Sequence, residues 1–123
     1  MHRVFLACDD AVFCRALSHT FQIQADFIVC GQSKYDIEVL KEVMKLTPNL
    51  VVIEVELSPR GSLEIAEALK IMIPKTPLFL VTGPDILRQV EKEALSSGID
   101  AVFAKDDDVT SLVDNARAVL ASS

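Results

Sequence analysis

The sequence predicts an α/β fold, a doubly wound (βα)5 arrangement in which helices cover both faces of a five-stranded parallel sheet. The first observation is that five short apolar runs recur along the 123 residues. The second is that these runs are continuously apolar, as strands buried on both faces are, whereas half-exposed strands alternate. The third is that longer amphipathic stretches separate the runs. These stretches predict the helices that right-handed crossovers place on the two faces of the sheet.

The five predicted strands, in chain order, are VFLAC (4–8), FIVC (27–30), LVVIEV (50–55), LFLVT (78–82) and AVFA (101–104). Apolar residues recur at helical spacing over about 34–46, 85–97 and 108–121. SKYD (33–36) has the spacing of a capping box, so we expect Ser33 to cap the helix that follows and Asp36 to reach back to it. No repeat or linker composition interrupts the pattern, and residues 1–123 are expected to form a single domain.

Composition excludes several classes of function. The formal net charge of -6 argues against direct nucleic acid binding by this chain, because phosphate contacts need a basic surface. No apolar run is long enough to span a membrane, and the residues before the first strand do not resemble a secretory signal. A soluble cytoplasmic protein is therefore expected.

The cysteines and histidines do not indicate a metal site, a disulfide framework or a catalytic group. Cys8, Cys14 and Cys30 lack the spacing of a zinc site or of a disulfide framework, and buried reduced thiols are the simplest interpretation. The alternative is a redox pair of Cys8 and Cys30, if these residues end neighbouring strands. His2 and His19 are isolated, and neither is expected to be a ligand or a catalytic group.

Polar side chains collect where the predicted strands end, and in doubly wound sheets the functional site lies at that edge. In chain order these residues are Asp9, Asp10, Glu54, Glu56, Thr82 and Lys105. Carboxylates a few Å apart need a counter-charge, which either Mg²⁺ or the Lys105 ammonium would supply. Thr82 and Lys105 would be suited to holding the oxygens of a phosphoryl group. The sequence therefore predicts an acidic site for a cation or a phosphoryl group.

Four segments together resemble the receiver domains of bacterial two-component response regulators. They are VFLACDD (4–10), TPNLVVIEVELSPRGSLE (47–64), TPLFLVTG (76–83) and GIDAVFAKD (98–106). The separations of Glu54 from Asp10, Thr82 and Lys105 are 44, 28 and 51 residues, close to those of the family. IVCGQS (28–33) and the Lys-Asp pair at 105–106 are most similar to the NarL/LuxR-type subgroup. The resemblance implies a flavodoxin-like or CheY-like sheet with strand order 2-1-3-4-5.

The resemblance also assigns roles to the site residues. Glu54 stands at the position of the phosphoacceptor aspartate, and the acidic pocket for Mg²⁺ would comprise Asp9, Asp10, Glu54 and the backbone carbonyl of Glu56. Thr82 and Lys105 match the residues that bind the phosphoryl group. Val102 occupies the position of the switch aromatic, and Phe103 is expected on the opposite face of the sheet. No catalytic residue is implied, and we do not predict an enzyme.

The substitution at Glu54 argues against efficient phosphorylation. The glutamate carboxylate lies one methylene, about 1.5 Å, further out than that of an aspartate, and a misplacement of about 1 Å can cost a factor of about 100 in rate. Two interpretations of the pocket stay open. In one, Lys105 pairs with Glu54 and Asp10, Thr82 bonds locally and no metal binds; in the other, a divalent cation still binds. The side chain of Glu56 is expected to point to solvent.

Three functions follow from these interpretations. The first is an atypical receiver that signals through contacts with a histidine kinase or a downstream regulator, with impaired or absent phosphorylation at Glu54 and a homodimer through the C-terminal helices. The second is a working Mg²⁺-dependent phosphoacceptor that controls a DNA-binding output domain outside this chain. The third, a flavodoxin-like cofactor binder, is disfavoured because Asp9 and Asp10 occupy the place where a phosphate would sit.

Overall fold

The structure, a computed structural model, describes residues 1–56 and 59–121, without the side chains of 59–62. Its elements in chain order are β1 (His2–Cys8), α1 (Ala11–Gln22), β2 (Phe27–Ser33), α2 (Glu38–Leu46), β3 (Leu50–Val55), α3 (Pro59–Met72), β4 (Leu78–Thr82), α4 (Pro84–Ser96), β5 (Ala101–Ala104) and α5 (Val109–Ala121). The strands form one sheet in the order β2-β1-β3-β4-β5, and every neighbouring pair is parallel. The predicted fold class and strand order are confirmed.

The sheet separates two apolar cores, and alternate residues of each central strand enter one or the other. In β3, Leu50 and Val52 pack with α1 and α5 on one face, whereas Val51 and Ile53 pack with α2, α3 and α4 on the other. Every residue of β3 is buried, including Glu54. This burial on both faces is the reason that the strand is continuously apolar except at its end.

The capping box predicted at 33–36 is wrong. Ser33 is the last residue of β2, where it pairs with Ala7 of β1, and its hydroxyl donates to the carbonyl of Lys34. Helix α2 begins only at Glu38, whose backbone N–H donates to Asp36 Oδ1 at 2.9 Å. The ladder between β1 and β2 continues three residues beyond the predicted strand end, and it holds Ser33 in an extended conformation that cannot start a helix.

The cysteines also lie differently from the predicted redox pair. Cys8 belongs to the core under α1 and α5, whereas Cys30 packs against the core on the opposite face. Cys30 falls in the gap of the register between β1 and β2, which shifts after Val4. Cys8 and Cys30 therefore do not form a pair. Cys14 of α1 lies in the same core as Cys8, and its thiol donates a hydrogen bond to Gln32 Oε1 at 3.4 Å.

The carboxyl ends of β1, β3, β4 and β5 lie along one edge of the sheet, beside the N-terminus of α1. Within the described ranges, no helix is long and apolar enough to cross a membrane. The residues predicted for the functional site lie at this edge.

Candidate acidic site at the carboxyl edge of the sheet

The strand register brings the predicted site residues together. The pairing of β1 with β3 places Cys8 opposite Glu54, so that the residues after Cys8 pass over the end of β3. Thr82 lies opposite Val55 on one side and opposite Ala104 on the other. The chain then continues from each strand end into the residues that carry the charges of the site.

The ammonium of Lys105 is the centre of the site. Its Nζ donates hydrogen bonds to Asp10 Oδ2 at 2.7 Å and to Glu56 Oε1 at 2.9 Å. It also lies 3.5 Å from Glu54 Oε2, which makes a third ion pair. One cation therefore contacts three carboxylates, one just after β1 and two at the end of β3.

The Glu54 side chain is fully buried, with 0% of its surface exposed. Its Oε1 accepts a hydrogen bond from the backbone N–H of Asp10 at 2.7 Å. In the part of the chain that the structure describes, no group donates a hydrogen bond to Oε2. Burial raises the pKa of Glu54, and the hydrogen bond from Asp10 and the charge of Lys105 offset only part of this effect. Glu54 is thus an incompletely satisfied carboxyl group inside the protein.

Asp10 has two roles, one for each carboxylate oxygen. Oδ1 caps α1 by accepting from the backbone N–H groups of Val12 and Phe13 at 3.0 and 3.2 Å. Oδ2 accepts from Lys105. The hydrogen bond from Lys105, followed by that from Phe13, lowers the pKa of Asp10. Asp10, two positions past β1, therefore both caps the N-terminus of α1 and holds the Lys105 ammonium.

Asp9 ties the loop after β3 to the end of β1. Its backbone N–H donates to the carbonyl of Glu54 at 3.1 Å, and its Oδ2 accepts from the backbone N–H of Glu56 at the same distance. The second bond orients the backbone of Glu56. Asp9 has no ion pair with Lys105 among the described residues.

Lys105 is held by more than its carboxylates. Its backbone N–H donates to the carbonyl of Thr82 at 2.8 Å, and its Nζ lies 5.4 Å from the centre of the Phe13 ring. Burial lowers the pKa of Lys105, but the hydrogen bonds to Asp10 and Glu56 and the charge of Glu54 outweigh it, so that the pKa is raised overall. The side chain therefore stays protonated at neutral pH.

The side chain of Glu56 is 47% exposed, in agreement with the expectation that it faces solvent, but its carboxylate also binds the Lys105 ammonium, which was not expected. The reason is that the hydrogen bond from the Glu56 backbone to Asp9 turns the chain across the edge of the sheet just after β3. The side chain then extends toward Lys105.

The remaining predictions concern Thr82, Val102 and Phe103. The Thr82 hydroxyl is buried and donates to the carbonyl of Val55 on the neighbouring strand at 2.9 Å, a bond of the kind expected in the interpretation in which Lys105 pairs with Glu54 and Asp10. Val102 packs with the core under α2, α3 and α4, whereas Phe103 lies in the opposite core, 5.2 Å from the ring centre of Phe79. The expectation that Phe103 and Val102 face opposite sides of the sheet is confirmed.

The acidic residues match Mg²⁺ in chemistry but not in arrangement. Carboxylate and carbonyl oxygens are the ligands that this ion prefers. In the described ranges, however, no three Asp, Glu, His or Cys side chains are placed to hold a metal ion. Both oxygens of Asp10 are engaged, one by the α1 cap and one by Lys105, and Asp9 Oδ2 is engaged by Glu56. In this arrangement Lys105 supplies the counter-charge.

Two of these contacts were not predicted from sequence. The ring of Phe13 lies near Lys105 because Phe13 follows the Asp10 cap by three residues, a spacing that returns to the same side of a helix. This spacing is visible in the sequence, so the contact of Phe13 with Lys105 could have been predicted. The contact of Glu56 with Lys105 had no such signal, because side-chain direction in a loop does not follow from periodicity.

No family model matches the chain. Among curated proteins, it is 32% identical over 107 residues to a protein-glutamate methylesterase/protein-glutamine glutaminase 1 of Syntrophus aciditrophicus, an alignment that covers 85% of this chain and 30% of that protein. It is 26% identical over 117 residues to the uncharacterized transcriptional regulatory protein YvfU of Bacillus subtilis, covering 95% of this chain and 58% of that one. The chain therefore spans less than two thirds of either relative.

Solved structures establish the fold. A CheY-like response regulator receiver domain protein from Methanospirillum hungatei superposes with a TM-score of 0.85 at 19% identity, covering 99% of this chain and 95% of that one. The receiver domain of the response regulator NarL from Mycobacterium tuberculosis gives 0.80 at 18% identity, with 99% and 98% covered. The chain thus has the fold of response regulator receiver domains.

Proposed function

We propose that the chain is an atypical receiver domain of two-component signalling that acts through protein contacts and with impaired or absent phosphorylation at Glu54. The observation that carries this proposal is the Lys105 ammonium bound to the carboxylates of Asp10 and Glu56 and paired with buried Glu54. The group that would bind a transferred phosphoryl is already neutralised by side chains of the domain itself.

The position of Glu54 supports impaired phosphorylation. A phosphoacceptor must reach the donor phosphorus, but the Glu54 carboxylate is 0% exposed and one of its oxygens is hydrogen-bonded to Asp10. Phosphorylation would require the end of β3 to move and the ion pair with Lys105 to break. Both changes add to the cost of the misplaced carboxylate.

The charge of Glu54 imitates an acyl phosphate only in part. One carboxylate replaces a phosphoryl group of about -1.5 to -2 charge with three acceptor oxygens. The Thr82 hydroxyl remains on the carbonyl of Val55 rather than turning to Glu54, and Val102 offers no aromatic ring to follow it. We therefore infer one resting conformation that a partner protein recognises, rather than a phosphate-driven switch.

The partners proposed are a histidine kinase or a downstream regulator, with a homodimer through the C-terminal helices. The name of the B. subtilis relative, a transcriptional regulatory protein, fits an output in gene regulation carried by another part of the protein. The net charge of -6 fits a domain that does not itself bind DNA. We propose a signalling domain of the cytoplasm, not an enzyme.

Beryllofluoride with Mg²⁺ tests the proposal, because this complex imitates the phosphoryl group of an acyl phosphate. We expect no change in the amide NMR signals of Thr82 and Lys105 in the natural sequence. The matched control is Glu54→Asp, which shortens the side chain and leaves the other site residues in place. Shifts of the Thr82 and Lys105 signals in the natural sequence would overturn the proposal.

A working Mg²⁺-dependent phosphoacceptor that controls a DNA-binding output domain is the second candidate. The observation in its favour is Glu54 Oε2, which accepts no hydrogen bond in the described structure and is the oxygen left for a ligand. Saturable shifts with Mg²⁺ and beryllofluoride in the natural sequence would support this candidate over the first.

A further inference from the structure

A groove lies between α1 and the edge strand β2, and the proposed function does not use it. In the described ranges two helices, α1 and α5, cover this face of the sheet, whereas α2, α3 and α4 cover the other. No third helix therefore closes the space beside α1, and a cavity of about 430 Å³ opens there. Its lining defines the α1–β2 groove: Ala11, Arg15, Ser18, His19 and Gln22 of α1, and Gln32 of β2.

The lining of the α1–β2 groove is polar. Every lining residue except Ala11 has a polar side chain, and none of them is acidic. Arg15, Ser18 and Gln22 share one face of α1 because they are three and four residues apart. The volume falls within the range of about 300–1,000 Å³ of small-molecule sites, but such sites are lined mainly by apolar side chains. This groove therefore favours a polar ligand.

The guanidinium of Arg15 gives the groove a positive charge that no acid of the domain neutralises. In the described part of the chain it makes no ion pair and no hydrogen bond. The other arginines whose side chains are described, Arg3, Arg88 and Arg117, each donate to a carbonyl or carboxylate oxygen. The chain has 18 Asp and Glu residues against 12 Lys and Arg residues, yet no described acid lines the groove. Arg15 is thus available to an anion from outside the domain.

Ser18 and Gln32 form the floor of the groove. Ser18 is 6% exposed, and its Oγ accepts a hydrogen bond from Gln32 Nε2 at 3.5 Å. Gln32 Oε1 accepts from Cys14 Sγ at 3.4 Å, so both ends of this amide are turned toward α1. Within the described residues, the proton of the Ser18 hydroxyl has no acceptor. Because buried hydroxyl groups are normally hydrogen-bonded, Ser18 retains a donor for a ligand in the groove.

We propose that the α1–β2 groove binds a small hydroxylated anion through its carboxylate or phosphate group. The planar guanidinium of Arg15 binds two oxygens of that group. His19, one turn further along α1, donates a third hydrogen bond to it. Ser18 and Gln22 bind the hydroxyl groups of the same molecule.

A second cavity, of about 190 Å³, extends the groove. The two cavities share Ala11 and Gln32, and Lys34 lines the extension, where its ammonium adds another positive charge. Neither cavity is lined by Thr82 or Lys105. The anion site is therefore separate from the acidic site, and it does not rest on the proposed function.

The experiment is an NMR titration of the chain with glycerol 3-phosphate, glycerate and glycerol, which share a three-carbon backbone, at an ionic strength held constant with sodium chloride. We expect saturable shifts of the Arg15, His19 and Gln32 amide signals with at least one of the two anions and none with glycerol. A response to glycerol 3-phosphate alone identifies the bound group as a phosphate, and a response to glycerate alone identifies it as a carboxylate. A response to both shows that the groove accepts either group.

Arg15→Gln removes the guanidinium from an exposed helix position and should weaken binding about tenfold or more, because a hydrogen bond to a charged group contributes on that order. Arg88→Gln is the matched control, since it removes an exposed arginine of α4 and should leave the affinity unchanged. Shifts with neither anion, equal shifts with glycerol, shifts centred on Thr82 and Lys105, or an unchanged affinity of Arg15→Gln would overturn the proposal. The first three outcomes are measured on the natural sequence, so they do not depend on the folding of a variant.

Discussion

Lys105 Nζ lies 3.5 Å from Glu54 Oε2, and Glu54 is the one acidic residue with 0% exposure in the described structure. A buried carboxylate is costly unless a cation or hydrogen bonds compensate it. Here the compensation comes from Lys105 and from one backbone N–H of Asp10. The contact therefore explains how an acid is tolerated at the end of an otherwise apolar strand, and it determines how the domain should respond to changes at the site.

Removing the cation should destabilise the fold. We expect Lys105→Met to lower the free energy of unfolding by about 3 kcal/mol, the lower end of the range for breaking a buried ion pair, because Asp10 and Glu56 are partly hydrated. Urea unfolding at pH 7 followed by circular dichroism measures the loss. Arg88→Met is the control, since the Arg88–Asp85 pair is exposed and should contribute less than about 1 kcal/mol. Equal effects of the two substitutions would show that Glu54 does not depend on Lys105.

The free energy of unfolding should depend on pH in the direction that the raised pKa of Glu54 causes. Burial raises the pKa of Glu54 in the folded state, so the folded protein binds this proton more readily than the unfolded chain. The resulting stability is fully present below the ordinary glutamate pKa of about 4.3 and is lost as the pH rises through the raised value. Relative to Glu54→Gln, the natural sequence should therefore become less stable from pH 4 upward. Urea midpoints at several pH values measure the difference, and a difference that is constant or grows with pH would contradict this assignment.

The contribution of Asp10 to stability should change with pH in the opposite direction to that of Glu54. Its role as the cap of α1 can be measured separately. Its pKa is lowered by Lys105 and by the backbone of Phe13, so its contribution is present above the ordinary aspartate pKa of about 3.9 and is lost as the pH falls through the lowered value. Asp10→Ala removes both the cap and the charge, and it should cost about 1–2 kcal/mol through the cap alone. Asp10→Asn keeps a good capping group, so it should cost less than Asp10→Ala at pH 7. Identical losses for the two variants would exclude the capping role.

Phe103 should behave as a core residue and not as a switch. It is 8% exposed and packs against Phe79, so Phe103→Ala should lower the free energy of unfolding by about 3 kcal/mol. Val102→Ala, at the position that the resemblance assigns to the switch aromatic, removes a smaller and partly exposed side chain and should cost less than half as much. Thermal unfolding of the two variants measures both values. A larger loss for Val102→Ala would mean that the roles of the two residues are reversed.

The sheet was predictable from sequence because its central strands β1, β3 and β4 are buried on both faces, which leaves continuous apolar runs. The expectation of burial on both faces is wrong for the edge strands β2 and β5, which have one neighbouring strand each and are mostly half-buried. The capping box failed because pairing with β1 extends β2 through Ser33, and this long-range pairing outweighs the local capping signal.

The site was predictable as a collection of residues but not as a geometry. Topology alone brings Asp10, Glu54, Thr82 and Lys105 to one edge of the sheet. Whether Lys105 or a metal ion compensates the carboxylates depends on distances of a few tenths of an ångström, which no sequence pattern encodes. The contact of the Glu56 side chain with Lys105 likewise depends on the hydrogen bond that the Glu56 backbone N–H donates to Asp9.

The most direct test of the central claim is incubation of the chain with acetyl phosphate and Mg²⁺, followed by intact-mass spectrometry under conditions that preserve acyl phosphates. We predict that the natural sequence does not gain the mass of a phosphoryl group, because Glu54 is buried and held by Asp10 and Lys105. Glu54→Asp provides the comparison under identical conditions. A stoichiometric phosphoryl adduct that maps to Glu54 in the natural sequence would contradict the account.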